Sequence, residues 1–210
     1  MSEPSLIPSD VLVELKHVRD QVWDVFGHWN LFTGLFAEQD TVNALTWAFN
    51  RGAGGLIHQA VRTEIAVGLG RLLDPAVERI KKEQRHNLTV ERMVNNVETL
   101  RPELADGMRV ELAEVRNLYK PLRRWRDRYH AHRDHAVAMG LEPIARSDRG
   151  AVEPVLDALR KLMDRVCSAL DGSTTPYRSA YEGAADQLLA FVGPKYQDSR
   201  ERLRISEAAL

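Results

Sequence analysis

From Arg116 to Arg133 the chain carries seven Lys or Arg residues (Arg116, Lys120, Arg123, Arg124, Arg126, Arg128 and Arg133) against one acid, Asp127. Tyr119, Trp125 and Tyr129 are interleaved with them, and His130 and His132 lie near the end of the run. A basic stripe with aromatics suits a phosphate backbone and offers stacking surfaces to unpaired bases. Arg123, Arg124, Trp125, Arg128, Tyr129 and Arg133 are the candidate contacts. The competing reading is a solvated helix face, laced by salt bridges to a remainder of 22 basic and 29 acidic residues. At the centre of the stripe, Arg126-Asp127 and His132 bring a permanent cation, a carboxylate and a near-neutral acid/base within seven residues. Those are the parts needed to hold a phosphate and move a proton beside it.

The elements that position these groups read as helices. After Ser9, a plausible N-cap, apolar residues recur at steps of three and four from Val11 to Trp29. A second helical piece covers about 39 to 51. The Gly52-Ala53-Gly54-Gly55 run interrupts it or lets it pack close to a neighbour. A third piece continues to Leu73, where Asp74-Pro75 stops it. Residues 76 to 88 read as a charged, solvated loop. Helices follow Thr89 and Pro102; Pro121 should kink or restart the second, which then runs to about Ala138. Gly140 to Gly150 is a connector, residues 151 to 170 a regular amphipathic helix, and 178 to 192 a last helix. The polar residues 193–210 form a tail. No segment alternates in the manner of a strand, so an all-α bundle with no significant sheet is expected.

The motif Arg126-Asp127-Arg128 followed by Ala131-His132-Arg133-Asp134 resembles the abortive-infection, AbiU-like branch of the HEPN superfamily. Arg71-Leu72-Leu73-Asp74-Pro75 with Asn87-Leu88-Thr89 resembles it too, and the likeness covers roughly residues 30 to 170 in order and spacing. The resemblance implies an all-α, HEPN-like bundle with additional helices in one domain over 1–192. It implies a metal-independent endoribonuclease of abortive-infection or toxin–antitoxin type. In that chemistry the 2′-hydroxyl attacks the adjacent phosphate, with no cofactor and no metal. Arg126 would hold phosphate, His132 would be the acid/base, and Asp127 would orient them. Arg71 and Asp74 would stand behind the site. RNA, a homodimer whose two motifs meet, and a nucleotidyltransferase-type antitoxin are the implied partners. A non-catalytic RNA- or nucleotide-binding module is the alternative. On an ideal helix Arg126 and His132 lie about 240° apart, so either the helix breaks there or the pair converges around a phosphate.

Other readings of the same residues are weaker. His130-Ala131-His132-Arg133-Asp134-His135 fits a zinc-binding His-x-His-x-Asp-His string. No strand precedes it, however, and no histidine follows His135; the others are His17, His28, His58 and His86. The net charge of -1 argues against a wholly basic coat protein. The single cysteine, Cys167, allows no internal disulfide. The N-terminus has no charged and apolar leader pattern. The most apolar stretch, Gly52 to Leu73, carries His58, Arg62, Glu64 and Arg71 and makes no membrane span. A cytoplasmic protein with no membrane partner is the expectation.

Overall fold

The fold was analysed in a computed structural model, which describes residues 7–80, 83–127 and 149–190. These residues are mainly helical: α1 (Ser9–Phe36), α2 (Gln39–Leu73), α3 (Val90–Leu100), α4 (Met108–Arg126) and α5 (Arg149–Leu170). One antiparallel hairpin, β1 (Val77–Ile80) with β2 (Glu83–His86), lies between α2 and α3. The contacts group the chain into two compact units. One comprises Met1–Asp24 and Ala66–Tyr177, and the other Val25–Ile65 and Arg178–Leu210.

In the first unit α3, α4 and α5 pack on one another. Their apolar residues follow the helical period and are buried: Met93, Val94 and Val97 from α3; Leu112, Val115 and Leu122 from α4; Val155, Leu159, Leu162 and Val166 from α5. Leu15, Val18 and Val22 of α1 and Leu69 and Leu72 of α2 are also buried in this unit. Burying a side chain of this size contributes about 1.5–3 kcal/mol, so the stripe is the main favourable term in the docking of these helices. Chain signals set the boundaries. Thr89 caps α3 by accepting from the Arg92 N–H at 3.4 Å. Pro102 opens a short 3₁₀ turn, and Gly107 enters α4 at φ 74°. Gly172, at φ 72°, turns the chain away after α5.

The expected loop at 76 to 88 is a hairpin. Glu78 faces Arg85 across the strands, an opposite-charge pair of the kind that stabilises a ladder. The Asn87 N–H donates to the Ala76 carbonyl at 2.8 Å and closes its base. Pro121 does not divide α4, which is one helix with the proline inside it.

In the second unit the glycine run does not end α2. It does let the helix bend. A Cβ built on Gly54 would lie 3.7 Å from Thr46 Cα, whereas eight residues of straight helix span about 12 Å. Leu35, Leu45 and Ala185 form a small core, with Phe36, Leu188 and Leu189 packed on it. Trp29 stacks on Phe32, Phe32 meets Phe36 at a tilt and Phe36 meets His58 edge-on; burial, with Arg62 nearby, lowers the affinity of His58 for a proton. Asn30 donates to the carbonyls of Arg178 and Ala180. Trp47 is 44% exposed.

Candidate functional site

Helix α4 sorts the basic stripe by position. Met108, Leu112, Val115, Tyr119, Leu122 and Trp125 recur every three or four residues and are buried. Lys120, Arg123 and Arg124 fall on the outer face and are exposed. Trp125 was expected to stack on a base. It is 8% exposed and part of the core, because its charged sequence neighbours lie on either side of the buried stripe.

Arg126 is the last residue of α4, and its side chain is only 17% exposed. Its Nε donates to Asp127 Oδ1 at 2.9 Å, and Nη2 is 2.8 Å from the same oxygen. Nη1 lies 3.7 Å from Asp74 Oδ1. The guanidinium lies against Gly70 of α2, where a Cβ would fall 1.8 Å from Nη1 and 2.9 Å from Cζ. Gly70 is therefore the floor of the site, and no other residue leaves the space. Tyr119 donates its hydroxyl to the Ala66 carbonyl at 3.3 Å. Burial pushes that phenol up to about 12, so it stays neutral next to Arg126. Burial also works against the charge on Arg126. The Asp127 hydrogen bond and the carboxylates of Asp74 and Asp127 favour it, and the guanidinium stays protonated.

Asp127 bridges outward, with Oδ2 at 3.6 Å from Arg123 Nε. The cluster is thus a part-buried cation, held by its partners, whose carboxylate neighbour Asp127 is half-exposed, bordered by the exposed cations of α4. A planar guanidinium held in one orientation suits bidentate recognition of phosphate oxygens.

The corner after α2 is built by residues with no evident sequence signal. Arg116 donates to the carbonyls of Leu73 (3.1 Å) and Asp74 (3.3 Å) and to both oxygens of Glu91 (3.2 and 3.1 Å). Glu91 accepts from the Ala76 N–H at 2.7 Å. Arg116, read from sequence as part of a phosphate-facing stripe, instead caps the end of α2.

The structure therefore brings Arg126, Asp127 and Asp74 together. Arg71, in the last turn of α2 three residues before Asp74, is exposed and is not among their partners within the described residues. A cation there complements the carbonyl end of the helix. Arg128, Tyr129, His132 and Arg133 lie outside the described residues, as does the string from His130 to His135. Among the described residues no three His, Cys, Asp or Glu side chains are grouped to hold a metal. No helix among them is long and apolar enough to cross a membrane.

The family model for AbiU2 HEPN proteins matches residues 12–191, a span that takes in Arg126, Asp127 and His132. The chain belongs to that family. No curated protein and no solved structure matches it.

Proposed function

We propose that this HEPN protein is a metal-independent endoribonuclease of abortive-infection or toxin–antitoxin type. Membership of the family supports a ribonuclease or RNA-binding function. The observation that carries the catalytic reading is the placement of Arg126: one guanidinium, firmly protonated, seated on Gly70 and oriented by Asp127 and Asp74 at the end of α4. In the proposed reaction a 2′-hydroxyl loses its proton and attacks the adjacent phosphorus. The bond to the 5′-oxygen of the next nucleotide breaks, and that oxygen takes up a proton. Arg126 holds the phosphate charge that builds up, and His132 moves the proton. Asp127 orients the guanidinium, and Asp74 stands behind it. Arg123, Arg124, Arg128, Tyr129 and Arg133 contact the strand. A homodimer, a nucleotidyltransferase-type antitoxin and a cytoplasmic setting belong to the same proposal.

The test is cleavage of single-stranded RNA by the wild type, Arg126→Ala and His132→Ala, with far-UV circular dichroism on each. Both variants are expected to lose cleavage and keep their helicity. Full activity in either would remove that residue from the mechanism. A second reading, an RNA-binding module without turnover, is favoured by one fact: Arg126 already has carboxylate partners, as a structural arginine does. RNA binding with no cleaved product would select it.

A further inference from the structure

We infer that Arg116 and Glu91 are positioning residues for the Arg126 site, acting through the corner that ends α2. This rests on the nuclease reading for its effect on rate, but not for its effect on geometry. The argument starts from what Arg126 leans on. It has two supports outside its own segment, the bare face of Gly70 and the carboxylate of Asp74. Both belong to one stretch, since the Asp74 N–H donates to the Gly70 carbonyl at 2.9 Å. Whatever fixes the Leu73–Ala76 corner therefore fixes both supports.

A helix ends with carbonyls that have no partner within the helix, and such an end frays unless something caps it. Here the cap is a side chain from α4, the helix that carries Arg126. The Arg116 guanidinium reaches the carbonyls of Leu73 and Asp74 while its other donors engage Glu91. Glu91, from the first turn of α3, holds the far side of the corner by accepting from Ala76 N–H. The hydrogen bond from Arg116 lowers the Glu91 carboxyl below its usual range, with burial opposing and the Ala76 N–H assisting, so the acid stays ionised in its place. Three elements thus meet at one guanidinium, and the same α4 that presents Arg126 sets the floor beneath it. Lysine cannot replace this arginine. An ammonium offers no planar fork to bridge two carbonyls and a carboxylate at once.

A clamp that only stabilised the fold would change melting temperature and leave the Arg126 environment alone. A positioning clamp changes that environment directly. The test uses the full chain with Arg116→Lys and Glu91→Gln. The Arg126 side-chain Nε–H resonance is assigned by its absence in Arg126→Ala, and cleavage of a labelled single-stranded RNA is followed in parallel. The expected result is a shifted Arg126 resonance in both variants, with kcat lowered on the order of 10²-fold and KM little changed, as a displacement of about 1 Å produces. An unmoved resonance in both overturns the inference, and so does a shifted resonance with undiminished kcat in a wild type that cleaves. If the wild type does not cleave but the resonance shifts, the positioning role stands and the nuclease reading falls. Should Arg116→Lys fail to fold, Glu91→Gln decides alone, because glutamine still offers Ala76 an acceptor.

Discussion

Replacing Gly70 with alanine exchanges one hydrogen for a methyl group at the floor of the site. The Cβ would stand 1.8 Å from Arg126 Nη1, 2.9 Å from Cζ and 3.1 Å from Cδ. Ordinary contact begins at about 3.4 Å, so the nitrogen must retreat by about 1.6 Å. The atoms in the way are the far end of a flexible side chain, so the helices need not move. Alanine inside a helix is favoured over glycine by about 0.5–1 kcal/mol, which offsets the lost contacts of the displaced guanidinium. For a chain of this size, that energy corresponds to a melting-temperature change within about 4 °C of wild type. The chemistry is less tolerant, since misplacement by about 1 Å costs on the order of 10²-fold in rate. The expected result for Gly70→Ala is native-like thermal unfolding with cleavage of labelled RNA lowered about 10²-fold. Full activity with native stability would refute the idea that Gly70 exists to seat Arg126. A collapse in stability would instead show that the guanidinium cannot yield.

Two further expectations follow from the carboxyls of Glu14 and Glu91 and from the thiol of Cys167. The carboxyls of Glu14 and Glu91 are held below their usual range, chiefly by hydrogen bonds from Arg92 and Arg116, with burial opposing. Their stabilisation is complete above the unfolded carboxylate value of about 4.3 and is lost as pH falls through the lower folded values. Melting temperature should therefore hold from neutral pH to about pH 5 and drop below about pH 4. Glu14→Gln and Glu91→Gln should each flatten that drop, and an unchanged acid limb in both would contradict the assignment. Cys167 is fully buried, and burial pushes its thiol up to about 11. It should resist thiol reagents at pH 8 until denaturant is added; rapid labelling of the native protein would contradict its burial.

Much of this was legible in the sequence because helical period and capping chemistry are local. The step of three and four in Val152, Val155, Leu156, Leu159 and Leu162 marks α5, and Thr89 and Asp74-Pro75 mark ends that the structure retains. The hairpin was not legible. Its strands hold only Val77 and Ile80 as β-branched residues, and the sequence between them, Lys81-Lys82, carries no glycine or asparagine signal. The motif pointed to Arg126 and Asp127, and Asp74 came with the family resemblance. Gly70, Glu91 and Arg116 were not visible as site residues, because their roles depend on which helix end lies beneath α4. Trp125 misled for the converse reason: charged neighbours in sequence are not neighbours in space on a helix, and one position in three or four turns inward.

The central claim is a chemical one, and product ends test it most directly. Wild-type protein is incubated with single-stranded RNA in excess EDTA, and the fragments are weighed by mass spectrometry. Attack by the 2′-hydroxyl leaves a 2′,3′-cyclic phosphate on one fragment and a 5′-hydroxyl on the other, and the account predicts both, absent in Arg126→Ala. Cleavage that appears only when a divalent metal is restored, or fragments bearing 5′-phosphates, would contradict it.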